Sequence, residues 1–164
     1  MNGYLFDSNI LINSNRYYKQ RFFPVIWDFF LCTSPQVYVL DRVFDELCTK
    51  NDDLHLWIVN HYKNQTINAD QFAKEYSTIT DYLFSSGKWN PAGYQIWLNY
   101  QHADPWLIAC AMNRGYTIIT DENNTGPNGL PTNNEPKIPF VADHFGVKTI
   151  SFWNFLEQNK FIAR

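Results

Sequence analysis

The stretch YLFDSNILIN, residues 4–13, decides the fold class of this chain. Its first three residues form an apolar run typical of a short buried strand. Asp7 ends that run, and a second apolar run follows directly through Ser8 and Asn9. A carboxylate at the end of a buried strand is costly unless a partner stabilises it. Asp7 is therefore the first candidate for a functional acid.

Short apolar strands alternate with helical patterns along the rest of the chain. YTIIT (116–120) and VKTIS (147–151) are typical of strands. Helical spacing is found in DRVFDELCTK (41–50, with Asp41 as a plausible cap), DDLHLWIVNHY (52–62), DQFAKEYSTITDYLF (70–84), ADPWLIACAMNRG (103–115), IPFVADHFG (138–146) and FWNFLEQNKF (152–161). This order predicts an α/β fold with a three-layer α/β/α arrangement and a mainly parallel central sheet.

Length and composition restrict the class of protein. The 164 residues, 45% of them apolar, predict a single domain over residues 1–164. No apolar segment is long enough to span a bilayer, so we expect no membrane association. The three cysteines show no CxxC spacing, which argues against a disulfide framework and a thiolate zinc site and favours a cytoplasmic location.

The net charge of −3 supplies no overall attraction for nucleic acid, so such a partner requires a local basic patch. The segment NRYYKQRFF, residues 15–23, alternates cations with aromatic residues, which suits phosphate contact and base stacking. A helix with its aromatic residues in the core and its cations in solvent explains the same pattern. The candidates for contacts with nucleic-acid phosphates are Arg16, Lys19, Arg21 and, near the end of an Asn-, Gly- and Pro-rich loop at 123–137, Lys137.

Acidic residues follow two of the expected strands. Asp7 ends the first, and Asp121 with Glu122 follows YTIIT. Because ligands bind at the carboxyl ends of strands in open parallel sheets, these acids lie where a site is expected. Asp104 opens a helix, with Pro105 next and Gly115 past its end, and helix capping is the alternative explanation for it.

Two adjacent acids, Asp45 and Glu46, lie on the helix that follows Asp41. They flank its apolar stripe about symmetrically, so periodicity does not choose which one faces a site. Convergent carboxylates repel each other, and a hard cation such as Mg²⁺ or Mn²⁺ relieves that repulsion. The four histidines show no HExxH or similar spacing, which disfavours zinc.

Four of these elements, in this order, resemble the PIN-domain ribonucleases, the fold of the VapC toxins of bacterial toxin–antitoxin systems. The resemblance rests on YLFDSNILI, VFDEL and ADPWLIACAMNRGYTIITDE. NRYY and KIPFVADHFGVKTISFWNFL are similar to a subgroup of bacterial PIN-like proteins, so nearly the whole chain is covered. The loop at 123–137 is longer than in a typical toxin of this type.

The PIN resemblance implies a site and an activity. Its metal-binding catalytic acids map onto Asp7, Glu46, Asp104 and Glu122, with Asp121 as a rival for the fourth position and Asn9 and Thr120 as polar companions. The implied activity is Mg²⁺- or Mn²⁺-dependent hydrolysis of RNA phosphodiester bonds by the toxin of a toxin–antitoxin pair. The implied partners are RNA, an antitoxin protein and a second copy in a homodimer.

Two other classes of protein fit parts of the pattern. A PIN-like module that binds RNA or protein without cutting keeps the fold and loses acids, whereas all four acid positions are filled here. A phosphatase of the haloacid dehalogenase type needs a second aspartate two residues after the first, where this chain has Asn9.

Overall fold

The computed structural model describes residues 3–125 and 134–164. Its strands are β1 (Tyr4–Phe6), β2 (Val37–Leu40), β3 (Thr66–Ile67), β4 (Thr117–Ile119) and β5 (Thr149–Ile150). Its helices are α1 (Ser8–Tyr17), α2 (Pro24–Thr33), α3 (Asp41–Leu47), α4 (Asp53–Tyr62), α5 (Ala73–Ser86), α6 (Pro91–Leu98), α7 (Ala103–Arg114), α8 (Ile138–His144) and α9 (Phe152–Gln158). Short 3-10 turns precede β2 and α5. Of the 123–137 loop, residues 126–133 lie outside the described residues.

The described strands form one sheet in the order β3-β2-β1-β4-β5, and every strand pair in it is parallel. Leu5 of the central strand β1 pairs with Tyr38 on one side and Ile118 on the other. The chain builds outward from β1 to β3, then crosses to β4 and β5. The parallel strands are joined by crossover connections, which place helices on both faces of the sheet. This arrangement confirms the α/β fold with a parallel central sheet.

Aromatic side chains form much of the core on one face. Phe6 of β1 is fully buried and packs edge-on against Phe30 of α2 and Phe155 of α9, with ring centroids 5.5 and 6.0 Å apart. Trp57 of α4 lies 6.1 Å from Phe30. Helices α2, α4 and α9 are distant in sequence and pack in one apolar cluster with β1, the strand that precedes Asp7.

Helix α7 is the most completely buried helix of the described chain segments and packs against β2, β4 and α5. Trp106 of α7 stacks on Tyr76 of α5 with ring centroids 4.1 Å apart. The helix ends at Gly115, whose positive φ of 69° suits a residue without a side chain. These contacts hold the first turn of α7 at a defined place beside the sheet.

Three local expectations are wrong. His102, rather than Asp104, occupies the N-cap position of α7, and Asp104 is the second helical residue, without a capping hydrogen bond. Asp41 is likewise inside its helix, with Leu40 at the N-cap. Helix α1 ends at Tyr17, which is 63% exposed, so the basic segment does not carry its aromatic residues into the core as one helix.

No helix in the described part of the chain is both long and apolar enough to cross a membrane.

Candidate functional site

Asp7 lies at the carboxyl end of the central strand and is only 2% exposed. Its backbone N–H donates to the carbonyl of Ile119 at 3.0 Å, which joins the ends of β1 and β4. The Thr120 hydroxyl donates a 2.8 Å hydrogen bond to Oδ2 of Asp7. Parallel pairing of β1 and β4 therefore brings the first acid against the residue that follows β4.

The Asp7 carboxyl group is electrostatically unfavourable in its charged form. Burial, followed by the negative charges of Asp104 and Glu122, raises its pKa to about 7, although hydrogen bonds from Thr120 and the backbone of Asn9 oppose this. The three acids come from β1, α7 and the end of β4. We call Asp7, Asp104 and Glu122 the acidic site.

Glu122 turns toward this site from the segment after β4. Its Oε2 accepts a 2.8 Å hydrogen bond from the backbone N–H of Ile138, at the start of α8, and its Oε1 lies 3.4 Å from Nζ of Lys137. Burial and the charge of Asp104 raise the pKa of Glu122, and these two hydrogen bonds oppose the rise. One predicted RNA-binding residue, Lys137, is thus paired with an acid of the site.

Asp121 is exposed and accepts a hydrogen bond from a different helix, α9. Its Oδ1 accepts a 2.9 Å hydrogen bond from the backbone N–H of Phe152, the first residue of α9. Successive residues of an extended segment point in opposite directions. Asp121 and Glu122 therefore hydrogen-bond to backbone N–H groups of different helices. The structure brings Glu122, and not Asp121, into electrostatic contact with the other acids.

Two residues that the sequence interpretation missed lie beside Asp104. Nε2 of His102 is 3.1 Å from Oδ2 of Asp104. Ligand atoms of His102, Asp104 and Glu135 all lie within 4.8 Å of one another, and this is the sole such trio of His, Cys, Asp or Glu in residues 3–125 and 134–164. We call it the His102 cluster. The HxD spacing at the start of α7 could have identified His102 as a possible ligand. The sequence around Glu135, which lies in a loop, contains no comparable motif.

Glu46 lies on the same side as the His102 cluster. Burial lowers the pKa of His102, but contact with Asp104 and the charges of Asp104, Glu135 and Glu46 outweigh burial and raise it. The neighbouring acid Asp45 instead contributes, after burial, to a raised pKa of Cys48. Asp45 and Glu46 are both exposed, and the electrostatic coupling to His102 is found for Glu46.

Two open cavities meet at Glu46 and Thr49. The larger, about 620 Å³, is lined by α3, α6 and the segment before α7, including His102. The smaller, about 400 Å³, contains the predicted RNA-binding residues Arg16 and Lys19. Lys50 adds a third cation to it, and we call this smaller cavity the basic groove.

The remaining predicted residues lie near the site to different degrees. Arg21 is exposed and stacks over the Phe22 ring at 5.0 Å, without lining the basic groove. Asn9 is exposed, and its backbone N–H is the group that faces Asp7. Thr120 is buried and also accepts a 3.1 Å hydrogen bond from the backbone N–H of Glu122. Thr120 therefore connects two of the acids.

The donor set of the acidic site fits a hard divalent cation. Carboxylate oxygens are the ligands that Mg²⁺ and Mn²⁺ prefer. The raised pKa of the buried Asp7 means that its charged form lacks sufficient positive charge nearby. Asp7, Asp104 and Glu122 are the residues that could hold such an ion.

The fold and sequence were compared with known proteins. A crystal structure of DNA-bound VapBC from Salmonella typhimurium is similar in fold, with a TM-score of 0.54 and 16% sequence identity over 92% of this chain and 98% of that chain. The fold is PIN-like. No curated protein matches the chain. Residues 4–162 match the family model described as "Domain of unknown function (DUF4411)". Because that match spans almost the whole sequence, the chain belongs to this family.

Proposed function

We propose that this protein is a metal-dependent endoribonuclease and the toxin of a toxin–antitoxin pair. The observation that carries the proposal is the buried Asp7, held at the carboxyl edge of a parallel sheet with two further acids around it. Burial and neighbouring negative charges raise the pKa of Asp7, so its charged form is costly unless a cation neutralises it. The PIN-like fold supports the same activity class.

Each residue of the acidic site has a proposed task. Asp7, Asp104 and Glu122 hold Mg²⁺ or Mn²⁺, and Glu46 completes the site from α3. Thr120 keeps the Asp7 carboxylate in one orientation through its 2.8 Å hydrogen bond. The bound cation would lower the pKa of a water molecule and stabilise negative charge on the phosphate. In the hydrolysis, water adds to phosphorus, one phosphorus–oxygen bond breaks, and the leaving ribose oxygen gains a proton.

The basic groove is the proposed path of the RNA backbone. Arg16, Lys19 and Lys50 line this cavity together with the acids Glu46 and Asp52. Cations beside an acidic centre hold phosphates that the carboxylates would repel. Arg21, with the exposed Phe22, extends this surface and suits stacking on an unpaired base. Lys137 neutralises Glu122 and stays a candidate for phosphate contact.

An antitoxin partner and a homodimer belong to the same proposal. They are supported by the fold likeness to VapBC, whose crystal structure is of a DNA-bound complex. Light scattering across micromolar concentrations tests the homodimer, because a dimer has twice the 19.4 kDa mass of one chain. A constant mass of one chain would contradict it.

The second candidate function is a PIN-like module that binds RNA or protein without cutting. It is favoured by one distance: among the described residues, the carboxylate oxygens of Asp7, Asp104 and Glu122 do not all lie within 4.8 Å of one another. A titration separates the two functions because ligands that bind the folded state stabilise it. The nuclease predicts a rise in melting temperature with Mg²⁺ or Mn²⁺, and the binding module predicts none.

The proposed activity is tested on an RNA that contains single-stranded and looped regions. Purified protein should cleave it with Mg²⁺ or Mn²⁺ and stop in excess chelator. Asp7→Asn is the matched control, because it removes one charge and keeps the size of the side chain. Cleavage that persists in chelator, or that Asp7→Asn retains at the full rate, would contradict the proposal.

A further inference from the structure

The His102 cluster has the dimensions of a metal site. Its ligand atoms lie within 4.8 Å of one another, and atoms bound to a common cation at about 2.0–2.3 Å are separated by at most about 4.6 Å. Small side-chain adjustments therefore bring all three donors onto one ion. The Nε2 atom of His102 is buried and has no hydrogen-bond partner of regular geometry among the described residues, although Oδ2 of Asp104 lies 3.1 Å away.

We propose that His102, Asp104 and Glu135 form a second divalent-cation site, which prefers Mn²⁺ and other transition metals to Mg²⁺. It shares Asp104 with the acidic site. The other two ligands come from the N-cap of α7 and from the segment before α8.

The donor types determine the preference. Mg²⁺ takes oxygen ligands and retains water, whereas an imidazole nitrogen suits first-row transition metals. The acidic site offers only oxygen donors, whereas the second site adds a nitrogen donor. A protein with both sites would bind Mn²⁺ at each and Mg²⁺ mainly at the acidic site.

The charges around His102 support a cation. Asp104, Glu135 and Glu46 all interact electrostatically with its ring. Three carboxylates carry three negative charges, and a protonated imidazole supplies one positive charge. These negative charges exceed the one positive charge that the ring can supply, which favours a cation at this cluster.

His102, one residue of this cluster, lies at the wall of the larger cavity. The cavity of about 620 Å³ is lined by His102, Ala103 and Glu46. Three protein ligands leave coordination positions for water on a metal that takes four to six donors. The cavity provides the space for those waters, and it also provides the entry path that a metal site requires.

Pulsed electron paramagnetic resonance of Mn²⁺ added to the full chain tests this site, because it detects a nitrogen nucleus bound directly to the ion. We expect a coordinated ¹⁴N signal in the wild type. His102→Asn should abolish it, and this change spares the fold because asparagine is a favoured N-cap residue. His61→Gln, an exposed histidine of α4, is the matched control and should retain the signal.

Affinity supplies the second measurement. His102→Asn and Glu135→Gln should each weaken Mn²⁺ binding by about tenfold or more, and Mg²⁺ binding much less. A nitrogen signal that is absent from the wild type, or retained in His102→Asn, would overturn the second site.

The two proposals fail independently. Asp7→Asn should lose RNA cleavage and retain the ¹⁴N signal, since Asp7 is not a ligand of the second site. A nitrogen signal without wild-type cleavage in either Mg²⁺ or Mn²⁺ would overturn the nuclease alone. Mg²⁺-dependent cleavage without a nitrogen signal would overturn the second cation site alone.

Discussion

The Thr120 hydroxyl donates a 2.8 Å hydrogen bond to the Asp7 carboxylate and accepts a 3.1 Å hydrogen bond from the backbone N–H of Glu122. Thr120 and Asp7 are 113 positions apart in the chain and meet because β1 and β4 are parallel neighbours. This contact holds two acids at one edge of the sheet. It also makes Thr120 the side chain whose removal tests the geometry of the site.

Thr120→Val should destabilise the metal-free protein by about 2 kcal/mol. Valine has the same shape but leaves the buried Asp7 without its hydroxyl donor, and such losses cost about 1–3 kcal/mol. Denaturant unfolding in chelator measures the change. Thr120→Ser keeps the hydroxyl and should retain most of the stability. Equal losses for valine and serine would mean that packing of the Thr120 methyl group, and not the hydrogen bond, stabilises this edge.

The metal-free protein should lose stability as the pH rises from about 4 to about 7. The pKa of Asp7 is about 7 in the folded state and 3.8 ordinarily, so the folded state binds a proton that the unfolded state has released. Stability is therefore greatest at the acidic end, and the loss is on the order of 4 kcal/mol. The raised pKa of Glu122 acts in the same direction over this range, and the raised pKa of His102 does so above its ordinary value of 6.5.

Melting curves in chelator across this pH range measure the effect, and Asp7→Asn is the matched variant. The amide side chain that replaces the carboxyl group does not titrate, so most of the pH dependence should disappear. A variant with the slope of the wild type would contradict a raised pKa at Asp7.

Substitutions of Asp121 and Glu122 should have different effects on RNA cleavage. Asp121→Asn keeps an oxygen that can accept from the backbone N–H of Phe152, so RNA cleavage should be nearly unchanged. Glu122→Gln removes a charge from the acidic site and should lower cleavage by orders of magnitude. Initial rates at saturating Mg²⁺ compare the two. Loss in Asp121→Asn with retention in Glu122→Gln would exchange their roles.

Asp45 and Glu46 provide the second matched pair. Glu46 interacts electrostatically with His102 and lines both cavities, whereas Asp45 lines one. Glu46→Gln should abolish cleavage, and Asp45→Asn should leave it nearly intact. Because both side chains are exposed, neither change should alter the melting temperature by much. The reverse pattern of activity would mean that α3 presents its other edge to the RNA.

The parts of the fold that local pattern determines were predicted from the sequence. The strand and acid of residues 4–7 follow the expected order, as do β4, β5 and the helices around them. β2 was not identified, and neither was β3, which has two half-buried residues and exists because Thr66 pairs with Val39. Such a short strand depends on tertiary pairing and carries no period of its own.

The candidate site divides in the same way. Parallel topology was enough to expect Asp7 and the acids after β4 at one edge of the sheet. The direction of Asp121 toward α9 depends on where Phe152 lies, and that position is a tertiary property. Glu135 reaches Asp104 from a segment 31 residues later in the chain, through packing that no local spacing reveals.

The central claim is that Asp104 contributes a charge that the cation and RNA cleavage require. His102 is the N-cap of α7, so Asp104→Asn leaves the cap intact. It also removes a charge that raises the pKa values of Asp7 and Glu122.

The decisive measurement is the RNA cleavage rate of Asp104→Asn at saturating Mg²⁺, taken beside its melting temperature with and without the ion. We predict a rate lower by orders of magnitude, a metal-free melting temperature at or above that of the wild type, and a smaller rise on adding Mg²⁺. A folded Asp104→Asn protein that cleaves RNA at the wild-type rate would contradict the account.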